Sequence, residues 1–176
     1  VDLQATSISA NGVKQDSEFI LTTEEDFDIE NLKKAIKTSP EFEYELTRID
    51  QGFKLKPKAV LEKDLLYEVK LEGEKIKSEG WNFSVEPAFA VINSSPEHEA
   101  PINSSIEFNF NYADIDLESF KSALRIHPEV PIKSIEQRGS TVVVIPSENL
   151  IPGRSYDLFV DNTVKRLNQE YMKNPY

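Results

Sequence analysis

Apolar and polar residues alternate through Ile106-Glu107-Phe108-Asn109-Phe110-Asn111, a period of two that predicts a strand with one buried face. Ile106, Phe108 and Phe110 point one way, and Glu107, Asn109 and Asn111 the other. The same alternation marks Glu18 to Thr22, Tyr44 to Ile49, Phe53 to Leu55, Tyr67 to Leu71 and Tyr156 to Val160, with Pro57 and Pro146 interrupting. Between these strands the period changes. From Asp28 to Ile36 the apolar residues fall at 29, 32, 35 and 36 behind an aspartate, which predicts one or two helical turns with Asp28 as N-cap. Strands this short, with no long helix between them, predict antiparallel sheets packed as a sandwich and an all-β fold.

The pattern occurs twice. Phe27-Asp28-Ile29-Glu30-Asn31-Leu32-Lys33-Lys34-Ala35-Ile36-Lys37 aligns with Ile115-Asp116-Leu117-Glu118-Ser119-Phe120-Lys121-Ser122-Ala123-Leu124-Arg125 at an offset of 88 (116 − 28). Phe53 to Pro57, Leu61 and Tyr67 match Val142 to Pro146, Leu150 and Tyr156 at 89 (156 − 67), so the chain holds two copies of one unit that differ by one residue inserted in a loop. We expect domain 1 over residues 1–86 and domain 2 over 87–176. Trp81 to Val85 closes the first, Phe89 to Ile92 opens the second, and the short joint Glu86-Pro87-Ala88 restricts bending. The first copy's opening strand is expected near Ala5 to Ala10. In the second copy Tyr171 to Tyr176 stands where the counterpart of Trp81 to Val85 begins, so its closing strand is expected to be missing. Without an initiator Met, the chain reads as a mature portion or excised fragment of a longer protein.

Charge narrows the partners. The chain carries 20 basic and 31 acidic residues, net −11, with both halves acidic and no basic cluster. Nucleic-acid binding draws its affinity from Lys and Arg on phosphates, so no nucleic-acid partner is expected. No apolar run approaches the roughly 20 residues that cross a bilayer, so no membrane insertion is expected. With no cysteine there is no disulfide framework, thiolate metal site or cysteine nucleophile.

Candidate chemistry is sparse. The two histidines, His98 and His127, lie in a loop and at a strand end beside Pro128, with no nucleophile-elbow motif and no metal-ligand spacing. Glu24-Glu25-Asp26-Phe27-Asp28-Ile29-Glu30 and Asp114-Ile115-Asp116-Leu117-Glu118 offer oxygens to calcium, but lack the EF-hand pattern, and acidic residues before a helix already serve as caps. Six glycines form no phosphate-cradling loop. Trp81, Tyr44, Tyr67, Tyr112 and Tyr156 are weighed as a sugar-stacking platform against a core role, which their inward strand positions favour. The sequons at Asn82, Asn93 and Asn103 matter only in a eukaryotic secretory pathway. No catalytic, cofactor or metal residue is assigned, and no cofactor is expected.

In order and spacing the repeat resembles the Ig-like domains of bacterial surface-layer and other cell-envelope proteins. The resemblance rests on Ala90 to Pro96, Ile106 to Phe110, Asp116 to Pro128, and Val142 to Tyr156 with Pro146, Leu150, Pro152-Gly153 and Tyr156 in register. The first copy departs from it where Glu62-Lys63 replaces Pro-Gly. The resemblance implies two tandem Ig-like sandwiches, a non-catalytic spacer in a larger secreted or cell-surface bacterial protein, located extracellularly or in the cell envelope. It implies as partners the rest of the parent polypeptide and cell-envelope protein or polysaccharide. A carbohydrate- or protein-binding adhesion module is the alternative, and an enzyme is not expected.

Overall fold

Two compact units, Val1–Pro87 and Ala88–Tyr176, make up the chain. The computed structural model describes residues 1–73 and 76–176. In the first unit β1 (Asp2–Ala5), β4 (Phe19–Thr22), β6 (Tyr44–Ile49) and β7 (Gly52–Pro57) form a sheet in the order β1-β4-β7-β6. A second sheet joins β5 (Ile36–Ser39), β8 (Leu66–Gly73) and β9 (Ile76–Ser84) as β5-β8-β9, and β2 (Ile8–Ser9) with β3 (Gly12–Val13) makes a small hairpin. All of these ladders are antiparallel. The opening strand is thus β1, ahead of the expected Ala5 to Ala10. It pairs through Leu3 with Leu21 and Ala5 with Phe19, and residues 8–13 turn back on themselves.

In the second unit β10 (Val91–Ser95), β11 (Ile106–Phe110), β13 (Ile132–Arg138) and β14 (Thr141–Pro146) repeat the first sheet as β10-β11-β14-β13. Its partner sheet has two strands, β12 (Leu124–His127) and β15 (Asp157–Val160). The helices α1 (Ile29–Ala35) and α2 (Leu117–Ala123) carry the chain from one sheet to the other. Seven residues cannot hold a helix in water alone. Each is held by a capping aspartate and two buried side chains, Leu32 and Ala35 in α1 and Phe120 and Ala123 in α2, of which Leu32 and Phe120 are fully inaccessible. Each passes without a loop into the next strand, because Ile36 and Leu124 are already extended while their N–H groups still donate to the carbonyls of Leu32 and Phe120.

The ladders refine the repeat. Phe19 opposes Leu55 and Ile106 opposes Val144, which places β4 and β11 at an offset of 87 (106 − 19), one less than the helices. Pro57 and Pro146 end β7 and β14 rather than breaking them, opposite Tyr44 and Ile132 on the edge strands β6 and β13. At the end of a strand a residue without an N–H leaves few ladder bonds unmade.

Each core lies between its own two sheets. In the first, Phe19, Leu21, Phe53 and Leu55 face Ile36, Tyr67, Val69 and Leu71. In the second, Ile106, Phe108, Phe110, Val142 and Val144 face Leu124 and Val160, with Val164 and Met172 added from the last turns of the chain. The alternation of β11 is observed, with Ile106, Phe108 and Phe110 buried and Glu107 and Asn109 half-exposed. The chain is an all-β protein of antiparallel sheets, packed as a sandwich with one short helix in each unit.

Candidate functional site

Six of the eight carboxylates weighed as calcium ligands are engaged by the fold, and the other two, Glu24 and Glu25, are exposed. Asp28 accepts from the Asn31 N–H at 3.1 Å and Asp116 from the Ser119 N–H at 3.2 Å, so both cap their helices. Asp26 pairs with Arg48 at 2.6 Å, Glu30 with Lys33 at 3.0 Å and Glu118 with Lys121 at 2.7 Å. Among the described residues no three His, Asp or Glu side chains gather as metal ligands. Asp116→Ala is therefore expected to cost about 1 kcal/mol, and by the same amount in millimolar calcium and in EDTA. Paired thermal melts check this, and a calcium-dependent rise of several degrees in the unsubstituted chain would contradict capping as the role of these residues.

Asp114 belongs to a different cluster. The Arg166 guanidinium lies 3.8 Å from the Tyr112 ring centroid and donates to Asp114 at 2.8 Å and to Glu170 at 2.7 Å. Burial alone would lower its pKa, but hydrogen bonding and attraction to both carboxylates outweigh this and raise it above the ordinary arginine value. A base whose pKa rises on folding stabilises the fold below its unfolded pKa and loses that contribution only as pH climbs through the folded one, so the contribution of the Arg166 charge is constant across neutral pH. It fastens the last turns, where the Lys165 and Tyr171 backbones pair and Met172 is buried. Arg166→Met leaves two carboxylates without their shared donor and should cost about 2–3 kcal/mol. Arg166→Lys should recover part of that in a denaturant melt, because it keeps the charge and loses the planar fork.

The aromatics do not form one exposed row. Tyr67 and Tyr112 are buried, while Tyr44 and Trp81 are half-buried against the core. The Tyr44 hydroxyl donates to the Lys33 carbonyl at 3.3 Å, and burial raises its pKa. Tyr67 and Tyr156 make matching contacts: each hydroxyl accepts a backbone N–H five residues upstream, from Glu62 and Ile151, at 3.0 Å in both cases. Asn82, Asn93 and Asn103 are exposed.

His127 ends β12 opposite Asp157 and is exposed. His98, which by sequence stands alone in a loop, lines an open cavity of about 500 Å³ with Glu97, Glu99, Arg154, Tyr156 and Leu158. Ile106 and Leu150 contribute apolar lining. Sequence reasoning missed this cavity because its walls come from two distant stretches, residues 96–106 and 150–158. The one available signal was the unmatched closing strand of the second copy. Among the described residues no helix is long and apolar enough to cross a membrane. No protein-family model matches the chain, and no curated protein does.

Proposed function

We propose that the chain is a non-catalytic structural module, two tandem Ig-like sandwiches that act as a spacer in a larger secreted or cell-surface bacterial protein. The observation that carries this reading is the repetition of one frame, with the order of the four-stranded sheet, the capping aspartate, the helix-to-strand passage and the tyrosine contact the same in both units. A tyrosine hydroxyl bonded back to the backbone upstream is a hallmark of Ig-type sandwiches, and its presence twice supports the Ig-like assignment. Repeating a frame extends a surface protein without adding chemistry. The ion pairs described above leave the acidic loops with structural work that this reading accounts for. Its partners would be the rest of the parent polypeptide and cell-envelope protein or polysaccharide.

The test is co-sedimentation with purified bacterial cell-wall polysaccharide and binding to a glycan panel at physiological salt. A spacer shows no saturable retention. Saturable retention that survives at high salt would replace this reading with a carbohydrate-binding module.

A further inference from the structure

Asn11-Gly12 is the one Asn-Gly pair in the sequence. It sits at the tip of the β2–β3 hairpin, whose strands are two residues each, and Asn11 is exposed. The Asn11 backbone N–H donates to the Ser9 hydroxyl at 3.2 Å, while its side-chain amide has no hydrogen-bond partner among the described residues. A ladder this short belongs to the low-stability end of a structure and opens without unpairing either larger sheet. Gly12 is paired with Ser9 in that ladder, so each opening frees its nitrogen. Without a Cβ, glycine leaves the path from that nitrogen to the Asn11 Cγ unobstructed. The exposed Asn82 and Asn103 precede Phe83 and Ser104 instead, whose side chains crowd the same path.

The hairpin also holds the chain as it leaves β9. The Glu86 N–H donates to the Val13 carbonyl at 2.9 Å, and Val13 bridges Val85, both of them buried. The fit is closest at Gly12, where φ is +134° and a Cβ would lie 2.7 Å from the Ser84 carbonyl oxygen and 3.2 Å from the Glu86 nitrogen. Extra backbone at this point has no room on the side of β9.

We propose that Asn11 is a site of spontaneous deamidation, and that isoaspartate formed there releases Glu86 from the hairpin. The Gly12 nitrogen attacks the Asn11 Cγ. The new N–Cγ bond forms, the Cγ–Nδ2 bond breaks, and ammonia leaves with the proton of the Gly12 nitrogen. Water then opens the resulting succinimide. Breaking the new N–Cγ bond gives aspartate, whereas breaking the bond from that nitrogen to the Asn11 backbone carbonyl carbon gives isoaspartate, with one more methylene in the main chain. Either product takes the net charge from −11 to −12 (−11 − 1). Only isoaspartate lengthens the turn. With Ser84 against Gly12, the added length displaces Gly12 and Val13 away from β9, and the bond from Glu86 to Val13 is lost. This inference is independent of the spacer reading.

The full chain is aged in warm, mildly alkaline buffer, and peptide mass spectrometry follows amide-to-acid conversion at each asparagine. Asn11 should convert several-fold faster than Asn82 or Asn103, and labelling by an isoaspartate methyltransferase should fall on the same peptide. Asn11→Gln should abolish both signals and keep the thermal midpoint of the fresh chain. In the isoaspartate form, separated by ion exchange, the Glu86 amide should lose roughly three- to ten-fold of its exchange protection, the factor that one net backbone hydrogen bond supplies. The Val85 amide, which donates to the Leu65 carbonyl, should keep its protection. Asn11→Asp, which adds the charge without the methylene, should leave Glu86 protected. Asn11 converting no faster than Asn82 and Asn103, or not at all, would overturn the proposal. So would an isoaspartate form in which Glu86 is as protected as in the fresh chain.

Discussion

Phe108→Ala is expected to destabilise the second unit by about 3–5 kcal/mol, the range for deleting a fully buried phenylalanine ring. Phe108 has no accessible surface and sits at the centre of β11, its ring 5.3 Å from that of Phe120 on α2 and 6.3 Å from that of Tyr176. Removing it loses the transfer energy of the ring and leaves a hole between the four-stranded sheet, the helix and the last residue of the chain. The cavity cannot collapse easily, because β11 is paired on both sides, with β10 and β14. At about 4–8 °C per kcal/mol for a unit of this size, the thermal midpoint should fall by more than about 12 °C. Amide exchange locates the damage: residues 88–176 should lose protection while 1–87 keep theirs. Phe159→Ala, in the same unit but exposed, should stay within about 0.5 kcal/mol.

Gly52→Ala is expected to cost about 2–4 kcal/mol, far more than a glycine substitution in an exposed turn. Gly52 opens β7 at a φ of +141°, and a Cβ built there would collide with the backbone oxygen of Leu21. That oxygen belongs to β4, the neighbour of β7 in the sheet, so relief requires the two strands to move apart at their paired end. Gly139, in the corresponding hairpin of the second unit, has a φ of +62° with open space around it. Gly139→Ala should therefore cost only the left-handed backbone penalty of about 1 kcal/mol. Denaturant midpoints of the two variants separate crowding from conformational preference. Equal losses would mean that the approach of Leu21 to Gly52 is not a constraint.

The contrast between those hairpins shows what the sequence could and could not carry. The strands β6 and β11, the helix α1 and its capping aspartate were legible because burial imposes a period on the side chains. The match between Asp28 and Asp116 was legible because both satisfy the same unpaired amides. Close backbone approach leaves no such mark, and nothing in Asp50-Gln51-Gly52 separates it from a permissive turn. The first strand was misplaced because Asp2 to Ala5 alternate over only four residues, with Leu3 and Ala5 no more than half-buried, too short a run to stand out. The Arg166 cluster joins residues 112, 114, 166 and 170, and its pairing exists only once the last turns fold back over the start of α2. The cavity was illegible for a related reason, since residues 97–99 meet residues 150–158 only in the folded unit.

Stretching single molecules of the full chain between handles at its two ends tests most directly the claim that it is a pair of independently cored structural units. Residues 1–87 and 88–176 should unfold in two separate events, each releasing about 300 Å of contour at roughly 3.6 Å per residue. A single event releasing the whole length at once would contradict the account.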